Sequence, residues 1–268
     1  AHTVFNITMT LIWVCLIKLM VRIVMTLIPD GKKGVEDPGS PIYLDENIIS
    51  QPAAALQLVA KEIFRMSDQV RDILKKTIEL VKNEEVKSID GLKENGEQVE
   101  RLGKCITEYL AALFSSGSLT EQQAAQTASL MCVLSDVERM GTLSVEMAEC
   151  MLERSDRKYK YTPEAMDELQ KSLKVLNKMF CDSLKALQGD DGIEPGKMMK
   201  RKDKLLDLDI KMRKAHIERV NKGKCKASLT APFTNILHLI DRMGNSCINL
   251  ADVAESGTSM KYFMLENK

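Results

Sequence analysis

Two stretches of this 268-residue chain are near copies: Ser135-Asp-Val-Glu-Arg-Met-Gly-Thr-Leu-Ser-Val-Glu-Met-Ala-Glu149 and His238-Leu-Ile-Asp-Arg-Met-Gly-Asn-Ser-Cys-Ile-Asn-Leu-Ala-Asp252. Aligned on Glu138 and Asp241, they share Arg-Met-Gly and a later Ala at a constant offset of 103 positions. Val145 then pairs with Ile248, Met147 with Leu250 and Glu149 with Asp252. A repeat of this length exceeds a solenoid unit of roughly 20–50 residues, so it reads as one helical bundle duplicated. The residue four places after each acid, Thr142 or Asn245, shares its helix face.

Composition supports helices throughout. Sixteen Met stand beside abundant Leu, Ala, Glu and Lys, straight-chain or small side chains that lose little rotamer freedom in a helix. The seven Pro and fourteen Gly cluster between the periodic segments. Hydrophobic residues make up 44% of the chain, enough for a sizeable core, and the expected class is all-α. Lys plus Arg equals Asp plus Glu, 38 each, so no global field recruits nucleic acid. The local basic run Lys197, Lys200, Arg201, Lys202, Lys204 is followed at once by Asp207 and Asp209. It reads as a solvated helix start, with a phosphate-binding patch as the alternative. Seven cysteines (15, 105, 132, 150, 181, 225, 247) form no C-x-x-C pair. Their apolar helical settings predict buried thiols in a reducing compartment.

Thr3 to Ile28 is apolar apart from Asn6, a few Thr, Lys18 and Arg22. As a helix it would measure about 39 Å, against a hydrocarbon core of about 30 Å. Lys18 and Arg22, four apart, can reach the headgroups, and Lys32 and Lys33 follow. No cation precedes the run, so the positive-inside rule puts everything beyond Pro29 in the cytoplasm. The alternatives are a buried helix of a soluble protein or a lone membrane anchor. Ala1 in place of Met suggests a fragment.

The expected organisation is a membrane helix over 1–28, a Pro/Gly-rich linker over 29–49, a three-helix bundle over 50–157, a second over 158–257, and a tail over 258–268. In the first bundle Ser50 is the expected N-cap of a helix to Lys82, with Leu56, Val59, Ile63, Met66, Val70 and Ile73 on one stripe. A second helix runs from about Val86 to Phe114, its pattern interrupted at Gly91 and Gly96. Thr120-Glu-Gln-Gln123 is a capping box that opens a third, to about Arg154. In the second bundle Thr162-Pro163-Glu164 gives an N-cap, a proline at the first position and an early acid. That helix ends near Gln188; the next spans about Lys197 to Lys222, and the last follows Thr230-Ala-Pro to about Ser256.

The duplicated Glu/Asp-Arg-Met-Gly frame with its Ala-acid tail resembles the PhoU family, whose paired three-helix bundles carry an acid pair four residues apart that helps hold metal ions. The chain keeps the first acids, Glu138 and Asp241, and has Thr142 and Asn245 at the second positions. More of the chain is similar to bacterial sodium-dependent phosphate cotransporters with a C-terminal PhoU-like domain. The matching stretches are His2-Thr-Val-Phe-Asn6, Ile28-Pro29, Tyr43-Leu-Asp-Glu46, Pro52-Ala-Ala-Ala-Leu56, and His216-Ile-Glu-Arg219 with Gly223-Lys-Cys225. The resemblance implies the last transmembrane helix and cytoplasmic regulatory domain of a sodium–phosphate symporter in the inner membrane. The lipid bilayer and the rest of the transporter core are then the partners, and sodium and phosphate the cargo of the full protein. The family's Gln-Ser-Ser-Ser substrate motif is not in this sequence, and Ser115-Ser-Gly-Ser118 reads as an inter-helix loop. A membrane-anchored helical adaptor for a partner transporter or sensor kinase is the alternative.

Two acids at i, i+4 would converge carboxylate oxygens on a cation. With one acid and one neutral side chain per signature, divalent or ferric ions should bind weakly or not at all. The alternative is that Glu138 pairs with Arg139, Arg242 or a Lys across the groove. Gly141 and Gly244 sit mid-helix at a cost of about 1 kcal/mol each against Ala, which predicts close helix approach. His216 and His238 are lone histidines, and the residues assemble no catalytic constellation, so no enzyme is expected.

Overall fold

The computed structural model describes residues 2, 5–7, 9–10, 13, 16, 37–82, 88–117, 119–155, 160–189 and 195–255. The chain divides into two units, Ala1–Asp37 and Pro38–Lys268. In the first, the described residues before Asp37 are helical, with Phe5, Ile7 and Trp13 exposed. Among the described residues no helix is long and apolar enough to cross a membrane. The expected membrane helix over 1–28 lies largely outside them, as do residues 29–36 of the expected linker and the tail from 258.

In the second unit six long helices follow one another: α1 (Pro52–Lys82), α2 (Asp90–Ser115), α3 (Glu121–Ser155), α4 (Pro163–Leu187), α5 (Pro195–Asn221) and α6 (Thr230–Glu255). No strand occurs among the described residues. The sequence explains several of the boundaries. Thr120 N–H donates to Gln123 Oε1 at 3.0 Å while Gln123 N–H donates to Thr120 Oγ1 at 3.3 Å, closing the capping box before α3. Thr162 Oγ1 accepts from Ala165 N–H at 3.3 Å ahead of Pro163, which starts α4.

Elsewhere the ends differ from expectation. The Gln51 carbonyl accepts from Ala55 N–H at 3.0 Å, so Gln51, not Ser50, precedes the helix and Pro52 takes the first position, where it lacks no needed donor. α2 is unbroken through Gly91 and Gly96. A Cβ on Gly96 would lie 2.9 Å from Val145 Cγ2, so this glycine lets α2 close on α3 rather than end the helix.

α1, α2 and α3 pack on one another, as do α4, α5 and α6. The two sets join where α3 meets α6 and α1 meets α4, leaving α2 and α5 on the outside. The core is contiguous across both sets: Ile63, Met66 and Val70 from α1, Met140 and Met147 from α3, Phe180 from α4, and Met243 and Leu250 from α6 are all fully buried. Residues 38–49, expected as linker, are bound to α1. The buried Glu62 carboxylate accepts from the N–H groups of Ile42 (2.9 Å) and Tyr43 (2.7 Å) and from Arg65 Nε (2.5 Å). Arg65 also donates to the carbonyls of Pro38 and Ser40. A buried carboxylate needs such partners, so the strap and Glu62 hold each other in place.

Candidate functional site

The two signatures lie on α3 and α6, the pair through which the two bundles meet. Three side-chain contacts fix the antiparallel crossing: Asn235 Nδ2 to Cys150 Sγ (3.2 Å), Ser144 Oγ to Met243 Sδ (3.7 Å), and Asn249 Nδ2 to Asp136 Oδ1 (3.2 Å). As one residue number rises the other falls, so the copies are related by an approximate two-fold axis near Gly141 and Gly244. The glycines themselves face their own bundles. A Cβ on Gly141 would stand 3.3 Å from Val70 Cγ2 and 3.4 Å from Val99 Cγ1; one on Gly244 would stand 3.1 Å from Leu205 Cδ1 and 3.3 Å from Lys202 Nζ. Both are close-approach positions, as their mid-helix placement predicted.

The acids heading the signatures have different surroundings. Asp241 Oδ1 accepts from Lys202 Nζ of α5 at 2.5 Å, the same ammonium donates to the Asp241 carbonyl at 3.0 Å, and Asn245 Nδ2 lies 3.5 Å from Oδ2. Glu138 has no ion-pair partner among the described residues. Its half-buried carboxyl rests against α2 at Gly103, 3.3 Å from where a Cβ would be. Burial, and then the nearby Glu100 carboxylate, push its pKa above the ordinary glutamate value. Thr142 Oγ1 donates back to the Glu138 carbonyl at 3.2 Å instead of facing a ligand. Of the partners expected for Glu138, the cross-groove Lys exists only in the second copy.

Grooves between other helix pairs of the two bundles also differ in charge. Between α2 and α3 a groove of about 400 Å³ is lined by Glu97, Glu100, Glu146 and Glu149, with Lys93 the one cation among the described residues that line it. Lys93 Nζ reaches Glu149 at 2.8 Å, and that bond holds the ammonium above its ordinary value. Between α4 and α5 a groove of about 460 Å³ is lined by Lys171, Lys174, Lys178, Arg201 and Lys204 over Val175 and Leu208. The residues present do not fit a resident metal ion. Asp241 is neutralised by Lys202, Glu138 converges only with Glu100, and no group of three ligating side chains forms among the described residues.

Several functional-looking residues take structural roles. In the basic run, Arg201 pairs with Asp182 of α4 and Lys202 with Asp241, so only the remainder is a solvated helix start. His216 is buried, stacked on Phe233 with centroids 4.6 Å apart and bonded through Nε2 to Thr230 Oγ1 at 3.1 Å. Burial and the neighbouring Arg219 charge hold its pKa below the ordinary value. His238 is exposed. Of the cysteines, Cys225 and Cys247 are buried and Cys132 is exposed, against the expectation for an apolar helical position; Cys15 lies outside the described residues. Lys202 was the residue that reasoning from motifs missed. Lys202 stands 103 positions after Val99, at the signature's own offset, but the apolar residue there gives no sign of the pairing, which only helix packing reveals.

Residues 63–151 match the PhoU domain family, a span from the middle of α1 to near the end of α3. A curated relative, the phosphate-specific transport system accessory protein PhoU homolog 1 of Thermotoga maritima, is 24% identical over 209 residues, covering 77% of this chain and 88% of that protein. The crystal structure of PhoU from Pseudomonas aeruginosa superposes with a TM-score of 0.67 at 13% identity, over 73% of this chain and 93% of that one. At that identity the likeness is one of fold. The chain is therefore PhoU-like in sequence and in helical architecture.

Proposed function

We propose that this chain is a regulatory adaptor of phosphate transport, acting by docking and packing and not by catalytic turnover. The observation that carries this reading is the PhoU domain over 63–151, continued by a relative named as a transport accessory protein that aligns over most of both chains. The two bundles give such an adaptor two charged surfaces, an acidic groove on one and a basic groove on the other, each able to engage a partner of opposite charge. The place of action in this proposal is the cytoplasmic face of the inner membrane. Cells lacking the chain should take up labelled phosphate without restraint in phosphate-rich medium, and re-expression should restore restraint. Uptake that is indifferent to the chain overturns the proposal.

A second reading joins the same domain covalently to a sodium–phosphate symporter. The apolar Thr3–Ile28 run with Lys18, Arg22, Lys32 and Lys33 behind it favours this. The genomic sequence ahead of Ala1 separates the two: further apolar spans with a Gln-Ser-Ser-Ser motif would establish the fusion, and a start codon close to Ala1 would eliminate it.

A further inference from the structure

α4 carries Lys171, Lys174 and Lys178 on one face, all three exposed, at steps of three and four residues that span about 10 Å. Arg201 and Lys204 face them from α5, and the half-buried Val175 and Leu208 form a floor between the two rows. Among the described residues that line this groove of about 460 Å³ there is no carboxylate. Two of its five cations are engaged by acids that do not line it: Lys171 Nζ by Asp167 at 2.6 Å, and Arg201 by Asp182. Lys174, Lys178 and Lys204 have no carboxylate partner among the described residues.

Elsewhere the fold sets its interhelical cations against acids: Lys93 with Glu149, Lys202 with Asp241, Arg219 with Glu168. Along α4, like charges stand at i, i+3 and i, i+4, a spacing that costs stability. An anion arriving from outside would recover that cost. The rest of the groove says what carries the anion. A small phosphate is best held by free backbone N–H groups or by a guanidinium fork. These walls are mid-helix, their N–H groups already used within α4 and α5, and the one guanidinium is bound to Asp182. An apolar floor between two cationic rows suits instead an apolar ridge flanked by carboxylates. A helix laid lengthwise between α4 and α5 presents both, and the lysine stems add apolar cover along it.

We infer that the α4–α5 groove is a docking site for an acidic amphipathic helix of a partner protein, its apolar ridge on Val175 and Leu208 and its carboxylates against Lys174, Lys178 and Lys204. The inference rests on the adaptor reading above and names what one of its charged surfaces takes. The α4 lysines set the register: the partner helix presents acids three or four residues apart over about two turns, beside a stripe of Leu, Ile or Met.

A blocked synthetic helix of about fifteen residues, with Glu at three- and four-residue steps beside a Leu stripe, serves as the probe, titrated against the full chain by fluorescence anisotropy. Saturable one-to-one binding that weakens with salt is expected. Lys174→Glu with Lys178→Glu should weaken it about thirtyfold, and exchanging the probe's Glu for Lys should recover most of that loss. Both sites are exposed, so helix content and melting should not change. Leu208→Ala should weaken binding about fivefold through the lost floor contact. A chain that does not bind the probe overturns the inference, while the uptake test of the adaptor reading stands or falls by itself. A scrambled peptide of the same composition that binds equally well also overturns it, as does inorganic polyphosphate that binds the groove more tightly than the helix. In either case the groove would read charge alone. Binding unmoved by the paired lysine substitutions would place the probe elsewhere and sink the inference as well.

Discussion

The two signatures share a backbone and differ in charge. In the second, Lys202 crosses from α5 to satisfy Asp241; in the first, the position at the same offset is Val99, which packs beside Gly141. One substitution thus turns a paired acid into an unpaired one. Asp241 is part of what holds α5 to α6, while Glu138 sits half-buried against Gly103 with another carboxylate for a neighbour. The two bundles share their packing and give the equivalent acids different surroundings, the second tied to Lys202 and the first beside another carboxylate.

The packing half of the comparison is tested by the largest effects. Gly141→Leu should destabilise the fold by about 3 kcal/mol and Gly244→Leu by about 1–2 kcal/mol, within the usual overpacking range. The order follows from what a new Cβ meets. At Gly141 it meets Val70 and Val99, branched side chains with little freedom, whereas at Gly244 it meets the ends of the unbranched or γ-branched Lys202 and Leu205, which can adjust by small rotations that keep the Lys202–Asp241 bond. Denaturant midpoints check both, and equal midpoints would mean the two crossings are equivalent after all.

Asp241→Ala should cost about 1–3 kcal/mol, since Lys202 is mostly buried and would be left without its carboxylate. Glu138→Ala should cost clearly less, because no cation depends on it. Chemical denaturation of the two variants side by side measures the difference; a larger loss from Glu138 would break the asymmetry.

The bundle repeat, the helices and the glycine crossings were legible because each rests on local pattern: apolar period, Thr120 and Thr162 caps, and a mid-helix Arg-Met-Gly repeated at one offset. The pairing of Asp241 was not. It depends on a lysine 39 residues away whose own stretch reads as an ordinary charged helix start, and only helix packing brings it across. The docking of residues 38–49 was hidden for the same reason. Their Pro and Gly content reads as linker, and the partner that orders them is a glutamate one helix later. His216 likewise shows nothing local to mark it as core, since its burial comes from Phe233 across the α5–α6 turn.

Restoring the family's second acids should act unequally. Thr142→Asp adds a carboxylate four residues from both Glu138 and Glu146, at a groove already lined by Glu97 and Glu100. Like charges at that spacing cost about 0.2–0.5 kcal/mol per pair, so this variant should lose about 0.5–1 kcal/mol. Added Mn²⁺ or Mg²⁺ should return it by mass action. Asn245→Asp, beside an Asp241 that Lys202 already neutralises, should lose less and respond less to metal. Thermal melts with and without the ion check this, and an equal metal response from both variants would show that Lys202 yields to a cation.

The smallest effect carries the opposite sign. The folded pKa of Glu138 is raised, so the native state binds its proton more tightly than the unfolded chain does. Linkage then makes its contribution fully favourable below the unfolded value and lost as pH rises through the folded one. At neutral pH the ionised carboxylate is a cost, and Glu138→Gln should remove it. The group is only partly buried, so solvent screening limits the gain to about 0.5 kcal/mol, seen as a small rise in Tm at pH 7 that shrinks to nothing near pH 4. Asp241→Asn should lower Tm at pH 7, because the neutral amide cannot replace the charge facing Lys202. Opposite signs at equivalent positions are what separates a tie from an unspent charge. A fall in Tm for Glu138→Gln at pH 7 would mean that this carboxylate, too, is held by a favourable partner.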